Sequence, residues 1–441
     1  MQNPNLSHYF PRFSKVVLAM SIICLYSMYS FFYAQHSPSL GYKVMLVLSF
    51  LATFALFLEE SVGPSKNVGI LYLCFLGLAG ASVFFPASKY ANAIWLVEAI
   101  AKLLLSSVIV LCFLHLDKEV VPFFKWGLLS CAIVLSIVIV LQQVLNVPIR
   151  AIVPEFDEFK VVLSNWNKKY YSFWLLFLFW TTISFFWRKG KVETGLAIGI
   201  GILTGLALFI DYSDSARMAF VISLVVFALA HMVKSQKWLF MWNSLIYLYI
   251  FLFPLVWHLF ATHVWLKDIK TTQVLNNVAF RVDVYSASVR AISDQWFIGY
   301  GFGSTLSLLP LIVPFETGGH PHNIVLLFWL ELGLFGAFLL AAVSTVLLSF
   351  IHSSTNGQEN GPSVWALLSS GLVIFSFSFD IWSTDVVLIY GMWVAMIMLS
   401  CQYVNPSPLE HSHSKLPLFH YGVLTITVIG MASYLVRAIV F

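Results

Sequence analysis

Residues 323–350 read NIVLLFWLELGLFGAFLLAAVSTVLLSF, an apolar run in which Glu331 is the only ionisable side chain. A stretch of about 18 or more such residues is long enough to cross a bilayer. Applied along the whole chain, the same ruler predicts further spans near 16–35, 43–58, 67–85, 91–115, 124–145, 170–187, 192–210, 218–233, 238–262, 363–380, 384–402 and 419–441. The fold class that follows is an all-α polytopic membrane protein of about 12–13 transmembrane helices. Composition leads to the same place: 60% of the 441 residues are hydrophobic and only 10% charged, where a soluble domain would carry about a quarter. The first apolar run lacks a small-residue cleavage site before a polar region, and it is read as a retained helix.

The net charge of +4, without a Lys/Arg-rich run, gives no footprint for a nucleic-acid partner. The five cysteines, Cys24, Cys74, Cys112, Cys131 and Cys401, lie within or beside apolar runs. They imply neither a disulfide framework nor a thiolate metal site.

Orientation is read from the short loops. Arg12 and Lys15 precede the first span, Arg188, Lys189 and Lys191 separate the sixth and seventh, and Lys234 and Lys237 separate the eighth and ninth. All share one parity, which places them and the N-terminus in the cytoplasm and the segments 211–217 and 263–322 outside. The loop 146–169, with Arg150, Lys160, Lys168 and Lys169, then also faces outward and asks for an anionic partner. The expected organisation is a bundle of about nine spans over 1–262, a long structured outer loop over 263–322, and a second bundle of three to four spans over 323–441.

The outer loop gathers Lys267, Asp268, Lys270, Arg281, Asp283, Arg290, Asp294 and Glu316. A structured connection of about 60 residues is uncommon unless it is functional. From Phe280 onward, Val284, Ala287, Val289, Ala291 and Trp296 pattern as one face, leaving Arg281, Asp283, Ser288 and Arg290 for others; a short helix is expected, lying along the membrane surface or dipping toward the bundle. Next come Gly299-Tyr-Gly-Phe-Gly303 and Gly318-Gly-His-Pro-His-Asn323. The glycines permit positive φ, and two readings stand: an N–H nest for an anion, with Gly301 and Gly303 supporting it, or a turn back into the membrane. No strand precedes them, which excludes a dinucleotide fold.

His320 and His322 flank the mouth of the 323–350 span. A hydrogen-bonded interfacial pair, a zinc site completed by Glu316, and a general base near neutral pH are the three readings of this spacing. Arg217, at the head of the eighth span after Asp214, is either an anion-binding residue or a snorkelling partner of that aspartate. Only two spans separate it from the outer loop, so Arg217, Arg281, Arg290 and His322 can converge, and guanidinium forks match phosphate oxygens. His411 and His413 repeat the pair spacing on the cytoplasmic side without arginines. Glu98 and Lys102 neutralise each other at i and i+4.

Arg281-Val-Asp-Val-Tyr285, Gly299-Tyr-Gly-Phe-Gly303, His320-Pro-His-Asn323 and Glu331-Leu-Gly-Leu-Phe-Gly336 together resemble the signature region of the O-antigen ligase and O-antigen polymerase superfamily. His322 and Gly333 reproduce its histidine followed, after ten intervening residues, by glycine. Ligases often carry Arg-x-x-x-Leu at the first arginine, whereas Arg217 is followed by Met218, Ala219, Phe220 and Val221.

The resemblance implies a metal-independent, inverting glycosyltransferase without a cofactor, at the periplasmic face of a bacterial inner membrane. It moves a glycan from undecaprenyl diphosphate to a sugar hydroxyl of lipid A-core. In that picture His322 is the base, Arg217, Arg281 and Arg290 hold the diphosphate, and His320 and Asn323 support. The sister activities are a polymerase and a protein O-oligosaccharyltransferase; the short region after the last span counts against the latter. A lipid or glycan transporter of similar span number is the remote alternative, but it expects repeated halves and charges near the midplane.

Overall fold

The computed structural model describes residues 121–144, 165–210, 213–233, 235–262, 273–312, 321–377 and 384–404. Every regular element among them is a helix: α1 Val121–Val144, α2 Asn165–Phe186, α3 Lys191–Ile210, α4 Asp214–Met232, α5 Ser235–Thr262, α6 Gln273–Asp294, α7 Thr305–Ile312, α8 Ile324–Thr355, α9 Gly361–Phe377 and α10 Thr384–Val404. The expected spans before residue 121, the last span, the Glu98–Lys102 pair, Arg150, Lys160, His320, Glu316, His411 and His413 lie outside the described residues. Lys168 and Lys169 fall within the first turns of α2 rather than in a loop.

The chain is an all-α polytopic membrane protein, and α3, α4, α5 and α8 combine the length and apolarity needed to span a bilayer. Their outward faces show why. Ile198, Ile202, Leu206 and Phe209 on α3, and Leu245, Leu248, Leu252, Leu255 and Leu259 on α5, are exposed at helical spacing. Such a surface would drive aggregation in water, whereas lipid is the solvent it fits. Helix α2 is the opposite case. Every residue from Ser172 to Phe186 is buried, as expected of a helix apolar on all sides, and it packs against α1, α3, α4, α9 and α10. Some of its polar groups bond across the bundle: Trp180 Nε1 donates to Ser223 Oγ at 2.8 Å, and Asn360 Nδ2 donates to the Ser184 carbonyl at 3.0 Å.

Helix α9, rich in Gly and Ser, forms because its serines turn inward onto their own helix. Ser363, Ser369, Ser370 and Ser376 each bond a carbonyl three or four residues back, which removes the cost of burying a hydroxyl. Gly371 leaves room for the Trp393 ring, which a Cβ would overlap at 2.1 Å.

The apolar run that decided the fold is not one rod. Gly333 interrupts α8 with φ 60° and ψ −145°, dividing it into a first limb, 324–332, and a second limb, 334–355. In a straight helix, residues 328 and 336 would stand about 12 Å apart along the axis. Here a Cβ on Gly336 would lie 2.4 Å from the Phe328 carbonyl oxygen, so the limbs bend sharply together.

The second limb runs along α5, with Phe338 on Phe251 at 5.2 Å between ring centroids and Thr345 bonded to Tyr247. The first limb crosses α5 instead: Asn323 and Trp329, six residues apart, reach the adjacent residues Tyr249 and Ile250. The crossing point is chemically determined. Pro254 has no N–H, so the carbonyl four residues earlier, at Ile250, loses its helical donor. The Trp329 indole N–H supplies one at 2.9 Å.

Candidate active site

The site is assembled where helices stop or break. Asn323 caps α8: its Oδ1 accepts from Val325 N at 2.9 Å and Leu326 N at 3.1 Å, satisfying two of the orphan donors of a helix start. Its Nδ2 donates to Tyr249 Oη at 2.9 Å and to the Ser376 carbonyl at 3.1 Å. One side chain therefore fastens α5, α8 and the end of α9. These bonds place Asn323, expected from sequence as a support beside the histidine, at the junction of the three helices.

His322 immediately precedes this cap and adopts φ 54°, the left-handed region that costs a non-glycine residue about 1–3 kcal/mol. The residue is half-buried, and its ring lies edge-on to Phe280 at 5.9 Å. Tyr285 Oη reaches the His322 carbonyl at 3.4 Å and the Ser376 carbonyl at 3.3 Å. Burial pushes the Tyr285 phenol up to about 12, with the charge of Arg281 opposing the shift. It therefore stays a hydroxyl donor at any physiological pH.

Helix α6 supplies both Phe280 and Tyr285, together with Arg281. The helix is longer than expected and packs against α5 and α8. Tyr285 stands edge-on to Trp257 at 5.0 Å. Ser288, expected on a polar face, is buried because its hydroxyl bonds the Val284 carbonyl at 2.7 Å; Trp296, expected inside, is exposed beyond the helix end. Arg281 is half-buried one turn before Tyr285, and its charge reaches the Tyr285 phenol. Arg290 follows nine residues later, half a revolution around the helix, and is exposed. Arg281 thus shares the stretch of α6 that supplies Phe280 and Tyr285, the two residues that meet His322, and Arg290 lies half a revolution away.

Arg217 sits in the first turn of α4, which Ser213 caps. Its Nε donates to the Leu208 carbonyl at 3.2 Å and its guanidinium meets Asp214 at 3.2 Å, so the aspartate pairing weighed from sequence is present. The Leu208 contact ties the end of α3 to α4. Helix α4 packs extensively on α9, and Ala230 and Trp365 line one cavity at the far end of that pair. The first turn of α4 therefore lies at the Ser376 end of α9, the end that holds Tyr285 and Asn323.

The glycine loop is bonded to the break in α8. Gly299, Gly301 and Gly303 all have positive φ, and four of the N–H groups here are taken up: Gly299 N on the Gln295 carbonyl, Tyr300 N on Leu330 at 2.7 Å, Gly301 N on Glu331 at 3.0 Å, and Ser304 N on Gly301. In return, Leu334 N donates to the Trp296 carbonyl at 2.9 Å. The loop thus mends the Gly333 break, taking up the main-chain groups that the bend releases. A Cβ on Gly299 would lie 2.6 Å from the Glu331 carbonyl carbon, and one on Gly333 would lie 2.6 Å from Gly299 N. Glu331, buried at the same break, accepts from Thr305 Oγ1 at 2.6 Å and so holds the start of α7.

Among the described residues, no three His, Cys, Asp or Glu side chains converge as a metal site; two members of the zinc set considered from sequence lie outside them. Tyr285, Tyr249, Thr305 and Trp329 were missed as site-forming residues. Only the last had a sequence signal, the proline inside α5 that needs a donor for Ile250.

Residues 199–341 match the O-antigen ligase family. Over that segment the chain is similar to the O-antigen ligase family. The matched segment runs from α3 into the second limb of α8, so it contains Arg217, Arg281, Arg290, His322 and both glycines of the mended break. The match supports a membrane glycosyltransferase family of the O-antigen ligase and polymerase type. No curated protein matches the chain.

Proposed function

We propose that the protein is a ligase-type glycosyltransferase that moves a glycan from a polyprenyl diphosphate to a sugar hydroxyl of lipid A-core, at the periplasmic face of the inner membrane. The observation that carries this reading is His322, a strained, half-buried residue that stands directly before the asparagine fastening three helices and whose carbonyl meets the Tyr285 hydroxyl of α6. Strain of this kind clusters at functional sites.

His322 takes the proton of the acceptor hydroxyl as that oxygen attacks the anomeric carbon. The bond from that carbon to the diphosphate oxygen breaks, and the polyprenyl diphosphate departs with the electron pair, inverting the centre. Arg281 and Arg217 stabilise the charge that develops on the leaving group, a role metal ions fill in other transferases. Arg290, on the opposite side of α6, is assigned to the outer reach of the donor. Orientation rests on the basic loops Arg188–Lys191 and Lys234–Lys237 facing the cytoplasm.

The test is His322→Asn in protein reconstituted with a lipid-linked glycan and lipid A-core. Asparagine tolerates the left-handed region, so the fold is kept while the base is lost. Transfer is expected to fall about 100- to 10,000-fold, with donor binding nearly intact. Wild-type turnover would remove the base assignment. Elongation of the lipid-linked glycan without core acceptor would identify a polymerase instead, and transfer to a protein hydroxyl an oligosaccharyltransferase.

A further inference from the structure

The carbonyl of His322 belongs to a residue just outside α8. The helix cannot serve it: the N–H groups of Val325 and Leu326 go to the Asn323 side chain and that of Leu327 to the Asn323 carbonyl. Tyr285 has a single hydroxyl proton and two carbonyls within reach, His322 at 3.4 Å and Ser376 at 3.3 Å. Ser376 is already supplied by Asn323 Nδ2 at 3.1 Å. The proton of Tyr285 is therefore most useful on His322, where it holds a peptide plane in the left-handed conformation that aims the imidazole. Tyr285 also stands one helical turn from Arg281, whose charge reaches its phenol.

We infer that Tyr285 is a positioning residue for His322, its hydroxyl fixing the His322 peptide so that the imidazole and the Arg281 guanidinium are presented by one rigid helix face. This rests on the base reading of His322. It makes the distance between base and diphosphate a property of α6 packed on the α8 cap, so that loss of one hydroxyl, without loss of ring packing on Phe253 and Trp257, misplaces the base relative to a donor that still binds.

Tyr285→Phe in the full-length, reconstituted protein tests this. A misplacement of the base by about 1 Å costs on the order of 100-fold, so kcat is expected to fall about 10- to 100-fold with donor KM unchanged. A second readout is independent of turnover: the rate at which diethyl pyrocarbonate modifies His322, followed by peptide mass, should change while that of His352 does not. Placing 4-aminophenylalanine at 285, which retains a para N–H donor, should restore most of kcat; this variant also serves if the phenylalanine protein does not fold.

Wild-type kcat in Tyr285→Phe, alongside an inactive His322→Asn, would overturn the positioning role and leave the base assignment standing. An active His322→Asn would overturn both. A Tyr285→Phe protein in which His322 and His352 are modified faster together, with a lowered melting temperature, would show a merely structural tyrosine and overturn the inference. So would a folded 4-aminophenylalanine protein with the kcat of the phenylalanine variant.

Discussion

Residues 172–186 of α2 and the first limb of α8 are both sheathed by protein, yet they are held in place by different means. Helix α2 is an unbroken post whose apolar side chains fill the centre of the bundle, with sideways bonds such as that of Trp180 to Ser223. The first limb is nine residues between a strained histidine and a broken glycine. It is held by main-chain donors at one end and a single asparagine at the other. A post stabilises by area removed from contact with its solvent and tolerates shifts of packing. A mended break stabilises by reciprocal geometry and tolerates almost none, which is the kind of rigidity a base beside a diphosphate requires.

The comparison breaks most sharply at the two glycines. Gly333→Ala and Gly299→Ala each add a Cβ within 2.7 Å of opposing backbone at a positive φ, and each should cost more than about 4 kcal/mol. Folded protein recovered by size exclusion is expected to collapse. Gly199→Ala on α3, with nothing within 4 Å of the new Cβ, should be neutral or slightly stabilising. Equal recovery of Gly333→Ala and wild type would mean that the mend does not hold the limb.

In the post, Trp180→Ala should cost about 3–5 kcal/mol, the usual loss for a large aromatic in a core, and should leave Ser223 without its indole donor. Thermal unfolding in detergent measures it. Because the post does not aim the catalytic groups, kcat in the folded fraction should hold, whereas a matched fall in kcat would erase the distinction between the two regions.

The legibility of the sequence divides along the same line. Helix α2 and its neighbours were readable because length and apolarity alone dictate a spanning helix, and 170–187, 192–210 and 218–233 reappear as helices to within a few residues. The 323–350 run was readable as apolar but not as bent, since hydropathy has no term for the φ of Gly333. The glycine loop was readable as permissive, not as the counterpart of Gly333, because nothing local in 299–303 states which carbonyls will meet its N–H groups. Phe280 and Tyr285 meet His322 because α6 packs beside the α8 cap, a tertiary fact. Arg290 was grouped with Arg281 and His322 by sequence proximity, although nine residues carry it to the opposite face from Arg281.

The smallest expected effect is at the crossing of the first limb over α5. Trp329→Phe keeps most of the ring but removes the donor to Ile250, and should cost about 1–3 kcal/mol, the penalty for an acceptor left unsatisfied. Pro254→Ala restores a helical N–H to the same carbonyl. In that background Trp329→Phe should cost much less, a coupling that a double-mutant cycle of unfolding measures; strictly additive losses would show that the indole and the proline act separately.

That bond also says how this sequence is able to change over generations. A proline inside α5 and an indole on α8 are tolerable together and awkward apart, because each supplies the condition under which the other is harmless. A lineage that loses the tryptophan first must carry an unserved carbonyl until the proline goes. One that loses the proline first leaves the indole N–H in search of a new acceptor. The two positions therefore form a single heritable unit, and among related chains they are expected to be kept together or replaced together, whatever glycan the site transfers.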